Sequence, residues 1–189
     1  EKGLADVTVM SGHSLGEYSA LVCAGALEFT DAVKLVALRG EFMQQAVAEG
    51  EGAMAAVIGL EDAEIEKICL EQAGEQIVTP VNYNSPGQVV IAGHADAVAR
   101  AAEALKEAGA KRVLPLPVSV PSHCALMQPA ASQLADALKS IKLKQPHTPV
   151  INNVDVAIAD SEDAIKDALV RQLYRPVRWT ETIEQIAKL

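Results

Sequence analysis

A mixed α/β fold in two parts is predicted by three stretches of this 189-residue sequence. Near its start, a short apolar run leads into a glycine-bounded turn around a serine and then into helix-forming residues. Between residues 51 and 119 the pattern becomes short strands and helices in the order β-α-β-β-α-β. From residue 120 onward, helices and one further strand return.

The opening stretch is Asp6-Val7-Thr8-Val9-Met10-Ser11-Gly12-His13-Ser14-Leu15-Gly16-Glu17. Val7, Thr8 and Val9 have the β-branched character of a buried strand, while Glu17 to Ala24 carries good helix formers and ends at Gly25, a C′ residue. Between them lies Gly12-x-Ser14-x-Gly16, the spacing of a nucleophile elbow. Both glycines are expected to keep the space beside the turn free, so that Ser14 projects from a strained backbone. The Leu15 amide, at the helix N-terminus, then points at an anion forming beside Ser14 Oγ. The plain alternative is a glycine turn with a solvated serine; the strand before it and the helix after it favour the elbow. Residues 1–50 and 120–189 are accordingly expected to form an α/β-hydrolase-like large domain.

After Gly25, Thr30 is expected to cap a helix from Asp31 to about Ala48. Ala32, Leu35, Val36, Met43 and Ala46 share one face, with Phe42 beside them. Arg39 falls inside that stripe. An arginine keeps its charge, so it must snorkel to water or find an anion. From this helix alone, a snorkelling stem or an internal carboxylate is the more ordinary reading; the sharper one is a substrate carboxylate.

In the middle stretch, Ala53 to Leu60 reads as a strand, Asp62 to Ala73 as a helix with Ile65, Ile68 and Cys69 on one side, and Ile77 to Asn82 as a strand. Asn84-Ser85-Pro86-Gly87 turns into the strand Gln88 to Ala92. Ala95 to Ala108 is an alanine-rich helix, and Arg112 to Ser119 a last, proline-interrupted strand. This is the ferredoxin-like order, so residues 51–119 are expected to form a small inserted subdomain. Beyond it come a helix of roughly Cys124 to Ser140 with Pro129 near its start, a strand from Val150 to Val156, a helix from about Ser161 to Tyr174, and a final helix after Trp179 and Thr180.

Composition narrows the function classes. The net charge of −9 disfavours nucleic acid and anionic membrane as partners. No apolar run approaches the length of a membrane span and no signal-peptide pattern opens the chain, so the expected compartment is cytoplasmic. Cys23, Cys69 and Cys124 lack zinc-ligand spacing, so no metal is expected. Cys23 and Cys69 read as small core residues, whereas Cys124 stays open because it adjoins His123.

A serine at neutral pH needs a base within hydrogen-bond reach. Of the four histidines, His13 adjoins Ser14, and neighbours diverge at such a turn, so it is better placed to pack against the site. His94 follows a strand end and reads as a helix cap; His147, among prolines, reads as a surface-loop residue. His123 stands where the chain re-enters the large domain, at a junction suited to a cleft wall, and ranks first. No acid between Ser14 and His123 is singled out as its partner.

Gly12-His13-Ser14-Leu15-Gly16-Glu17-Tyr18-Ser19-Ala20 resembles the active-serine motif of the malonyl-CoA:acyl carrier protein transacylases of bacterial fatty acid synthesis. Arg39-Gly40-Glu41-Phe42-Met43-Gln44, Gly52-Ala53-Met54-Ala55-Ala56, Asn82-Tyr83-Asn84-Ser85-Pro86-Gly87-Gln88, Pro117-Val118-Ser119-Val120-Pro121-Ser122-His123-Cys124 and Tyr174-Arg175-Pro176-Val177-Arg178-Trp179 match in the same order. The resemblance implies malonyl transfer from malonyl-CoA to acyl carrier protein, with Ser14 as nucleophile, His123 as general base, and no cofactor. It implies that Arg39 pairs with the malonate carboxylate and that Leu15 supplies one oxyanion contact. Asn82, Asn84, His13 and Met43 complete the expected substrate-binding set.

In that family a main-chain carbonyl orients the histidine, which accounts for the missing acid. Family members also begin with a strand and a Gly-Gln-Gly-Ser-Gln loop, whose glutamine gives the second oxyanion contact, and finish with a segment expected to hold that orienting carbonyl. The sequence matches the middle of the family, so both features are expected to lie outside it. Two rivals remain: a serine esterase or thioesterase, in which water replaces the carrier thiol, and an inactive core that keeps only the fold and partner binding.

Overall fold

Apolar side chains on both faces of four neighbouring strands build the larger of two sheets. The computed structural model describes residues 7–118 and 120–189. Strand β2 (Gly52–Ile58) pairs antiparallel with β4 (Gln88–His94) and β5 (Arg112–Pro115), and β4 pairs antiparallel with β3 (Val78–Ser85). The order is β3-β4-β2-β5. Helices α3 (Asp62–Ala73) and α4 (Ala95–Glu107) cover one face. Ala55, Val57, Val89 and Ile91 point into that layer, against Ile65, Ile68, Ala101 and Leu105. Their strand neighbours Met54, Val90 and Ala92 point the other way and pack with Val81 and Cys124. Both faces are therefore apolar, and the second seats the residue after His123. This settles the reading of Cys124, a buried side chain whose thiol donates to the Pro121 carbonyl at 3.1 Å.

The other core is mainly helical. Helices α1 (Gly16–Cys23), α2 (Phe29–Gln45), α5 (Gln128–Leu138) and α6 (Glu162–Gln172) close over Tyr18, Leu21, Leu35, Met127, Leu134, Leu138 and Leu169. A parallel pair, β1 (Met10–Ser11) with β6 (Val150–Ile151), lies beside them, and α7 (Trp179–Ile186) packs on β3. Helix α1 ends as its glycine predicts. Gly25 has φ 73°, the Gly25 N–H donates to Val22 O at 3.0 Å, and the Ala26 N–H donates to Leu21 O at 2.9 Å.

Several boundaries differ from expectation. The first strand is Met10–Ser11 rather than Val7 to Val9; its partner starts at Val150, just after Pro149, which has no N–H to extend the ladder backwards. Asp6 lies outside the described residues. Helix α2 starts at Phe29 behind an extended Glu28, which puts Thr30 in the first turn instead of at the cap, and it stops at Gln45. Strand β5 is four residues long and stops at Pro115; Ser119, its expected end, lies outside the described residues. The expected strand to Val156 stops at Ile151 because the Asn152 side chain accepts the Val154 and Asp155 amides at 3.1 and 2.8 Å. The helix expected from Cys124 opens with a 3₁₀ turn, Ala125–Met127, and becomes α-helical at Gln128, with Pro129 in its first turn. Cys23 is exposed, not a core residue, whereas Cys69 is buried as expected.

Two main-chain bonds join the sheet to the helical part. The Tyr83 N–H donates to Val177 O at 3.0 Å, and the Val177 N–H donates to Val81 O at 2.8 Å. Among the described residues, no helix is long and apolar enough to cross a membrane.

Candidate active site

The Gly12–Gly16 turn brings Ser14 to an apex with φ 52°, a left-handed conformation that few side chains adopt. A Cβ on Gly12 would sit 2.0 Å from the Gly16 carbonyl oxygen, so this glycine is required by space. Gly16 is different from the expectation: nothing lies within 4 Å of where its Cβ would stand. Leu15 is the N-cap of α1, so its amide belongs to the group that a helix start leaves without an internal partner.

His123 also has a left-handed backbone, φ 65°, and is buried. Its Nε2 lies 2.9 Å from Ser14 Oγ and its Nδ1 lies 2.6 Å from the main-chain oxygen of Gln172. A carbonyl can only accept, so Nδ1 carries the proton and Nε2 presents its lone pair to the serine hydroxyl. The orienting carbonyl therefore lies within this chain, at the end of α6, and not in a segment beyond it as the family pattern had suggested. Burial holds the imidazole pKa down to about 3, against the carbonyl's opposing pull, and the positive charge of Arg39 lowers it further. The ring is thus a neutral acceptor at ordinary pH.

Arg39 reaches the same oxygen from α2. Its Nη2 donates to Ser14 Oγ at 2.9 Å and, more weakly, to Gln172 Oε1 at 3.4 Å. The side chain is 6% exposed, and its Nε finds no hydrogen-bond partner among the described residues. Its guanidinium carbon lies 5.9 Å from the centre of the Tyr18 ring. Burial lowers its pKa, offset in part by Tyr18 and Glu17. The snorkelling alternative is excluded by that burial.

The remaining expected residues are spread over the fold. His13 turns away from Ser14: its Nε2 meets Asn84 Oδ1 at 2.8 Å, and its ring stands edge-on to Trp179 at 5.4 Å. Asn82 has a buried Oδ1 without a partner among the described residues. Met43, one turn beyond Arg39, is buried in the helical core. Leu15 is half exposed and, with Tyr18, Phe29 and Val33, lines an apolar cleft of about 280 Å³ between α1 and α2. His94 stands at the start of α4, but its Nδ1 accepts the Ile77 amide instead of capping the helix; His147 is exposed.

Three residues that the sequence reading missed hold this arrangement together. Asn153, fully buried, accepts the Ser14 N–H at 2.7 Å and donates to Gly12 O at 2.9 Å. Gln172 donates from Nε2 to Ser14 O at 3.1 Å and to Glu17 Oε2 at 2.8 Å. Glu17 Oε2 also accepts the Asn153 N–H at 2.9 Å. Burial raises the Glu17 carboxyl pKa to about 7 against these donors. Two of them left a faint mark in the sequence, an Asn-Asn pair after an apolar strand and a glutamine on the buried stripe of α6, but neither mark names a partner.

Similarity to known proteins agrees with this geometry. The chain is 66% identical over 179 residues to the malonyl CoA-acyl carrier protein transacylase of Escherichia coli, covering 95% of this chain and 58% of that protein. It is 50% identical over 178 residues to the Bacillus subtilis protein of the same name, covering 93% and 56%. An acyl carrier protein S-malonyltransferase from Vibrio cholerae superposes with a TM-score of 0.97 at 62% identity, over 98% of this chain and 61% of that one. A malonyl-transacylase solved with its type II polyketide acyl carrier protein superposes at 0.96 and 61% identity, over 99% and 60%. The chain thus spans about 58% of the length of the curated relatives it matches. A serine flanked by a neutral histidine and a buried arginine fits acyl exchange, and the model of the acyl transferase domain matches residues 2–189: the chain belongs to the acyl transferase domain family.

Proposed function

We propose that this chain carries the central machinery of a malonyl-CoA:acyl carrier protein transacylase, acting in fatty acid synthesis through a malonyl-serine intermediate. The observation that carries this reading is the convergence on Ser14 Oγ of His123 Nε2 and Arg39 Nη2, each at 2.9 Å. Ser14 attacks the thioester carbonyl as its proton passes to His123 Nε2. The oxyanion is held by the Leu15 amide, and its collapse releases coenzyme A, whose sulfur takes the proton back. The carrier's pantetheine thiol then gives its proton to His123 and attacks the acyl-serine; the Ser14 Oγ–acyl bond breaks, Oγ takes the proton back, and the malonyl group leaves as the carrier's thioester.

Arg39 supplies the selection. Its buried Nε, without a partner among the described residues, and its Nη2 form a fork suited to a carboxylate at the far end of the acyl group. Asn82, Asn84 and His13 would border the substrate, and Met43 would support Arg39 from below.

The same reading assigns residues 1–50 and 120–189 to an α/β-hydrolase-like domain and 51–119 to a ferredoxin-like subdomain. The order β3-β4-β2-β5 beneath two helices supports the second assignment. A cytoplasmic setting suits both proposed partners, malonyl-CoA and acyl carrier protein.

The test is intact-protein mass after mixing with malonyl-CoA, beside acetyl-CoA and a Ser14→Ala control. A malonyl-sized gain confined to malonyl-CoA and lost in the control is the expected result. Equal gains from both thioesters would overturn the assigned selectivity, and a gain that survives Ser14→Ala would remove Ser14 from the reaction.

A further inference from the structure

One carboxylate oxygen ties together residues that the chemistry needs but that lie far apart in sequence. Glu17 Oε2 accepts from the Asn153 main-chain N–H at 2.9 Å and from Gln172 Nε2 at 2.8 Å. Asn153 grips the elbow on both sides of His13, through Gly12 O and the Ser14 N–H. Gln172 grips Ser14 O with its side chain and His123 Nδ1 with its main chain. The nucleophile and its base are therefore both referred to Glu17, which is 2% exposed and touches neither reacting atom.

We propose that Glu17 is a positioning residue for acyl transfer: by holding Asn153 and Gln172 on one oxygen, it sets the Ser14 backbone and the His123 ring in a common frame. The proposal rests on the reading of Ser14 and His123 as nucleophile and base. What matters is an acceptor oxygen at this reach. A carboxyl protonated on Oε1 still offers Oε2 to both donors, so the frame survives titration, whereas a shorter side chain cannot reach both donors even with its charge kept. The raised pKa agrees: so buried a carboxyl keeps its place through hydrogen bonds rather than through charge.

A fluorophosphonate probe tests this without reference to the acyl donor, since the Ser14 Oγ–phosphorus bond forms as fluoride leaves and the serine proton passes to His123. The maximal labelling rate and the half-saturating probe concentration are measured for the parent chain and for Glu17→Gln, Glu17→Asp and Glu17→Ala, with folding checked by near-ultraviolet circular dichroism. Glu17→Gln, which keeps an oxygen in place, is expected to label within about threefold of the parent. Glu17→Asp and Glu17→Ala are expected to fall about tenfold or more in maximal rate, with the half-saturating concentration unchanged. A folded Glu17→Asp at the parental rate overturns the proposal, and so does a Glu17→Gln as slow as Glu17→Ala. Should Glu17→Ala fail to fold, the Gln and Asp variants decide between them. A parent chain that is not labelled at all overturns the Ser14–His123 reading itself, and the proposal with it.

Discussion

Arg39 Nη2 stands 2.9 Å from Ser14 Oγ, so a buried cation touches the proposed nucleophile before any substrate arrives. A carboxylate-bearing acyl group would draw the guanidinium into a paired fork, and a neutral one would leave it on the hydroxyl. Arg39→Ala is therefore expected to lose roughly 1.5 to 3 kcal/mol of malonyl transition-state binding, about 10- to 150-fold in kcat/KM, while acetyl transfer is spared or increased. Competing malonyl-CoA and acetyl-CoA rates measure this; an unchanged ratio would refute the assignment. Lysine, with a point charge in place of a fork, is not expected to restore the rate.

The two glycines of the elbow are expected to behave oppositely. Gly12→Ala drives a Cβ to 2.0 Å from a main-chain oxygen and is expected to cost about 3 kcal/mol or to prevent folding. Gly16→Ala has open space at the first residue of α1 and is expected to be neutral or stabilising by about 0.5 to 1 kcal/mol. Urea denaturation of the two variants distinguishes them.

Glu17 and His123 give opposing pH dependences of stability. His123 falls from 6.5 unfolded to about 3 folded, so between those values the unfolded chain binds the extra proton and stability rises with pH. Glu17 rises from 4.5 to about 7, so between those values the folded chain holds the extra proton and stability falls with pH. The parent is expected to gain stability from pH 3 to 4.5 and to stay nearly flat from 4.5 to 6.5, where the two slopes cancel. In Glu17→Gln the rise continues to 6.5, at about 1.4 kcal/mol per pH unit. Denaturation midpoints across this range check the difference.

Thiol reactivity follows burial. Cys23 is exposed, whereas burial pushes Cys69 up to about 12 and Cys124 up to about 11. One thiol is expected to react promptly with a disulfide reagent in the native chain and three after denaturation; a Cys23→Ser variant should show no prompt thiol.

The elements with strong local signals were legible in the sequence: Asp62–Ala73 matches its expected bounds, and β2 and β4 are short apolar runs close to the strands expected there. Arg39 stood out as a charge on an apolar stripe, but the helix alone favoured a snorkelling stem or an internal carboxylate; its reach to Ser14 Oγ depends on the fold. Asn153 and Gln172 were not legible, because their work is done through contacts 139 and 158 residues distant in sequence. The orienting carbonyl was equally hidden, since every residue has one and only the fold brings Gln172's to His123. The elbow was legible through its glycines, though only Gly12 is there for lack of room.

The Tyr83–Val177–Val81 stitch has a kinetic consequence. The stretch that carries Asn82 and Asn84 is tied by its main chain to the segment entering α7, so the two cannot swing apart without breaking those bonds. For a substrate bordered by Asn82 and Asn84 as proposed, capture is expected to be a single encounter step: the observed rate should climb linearly with ligand concentration and show no plateau set by a slow opening event.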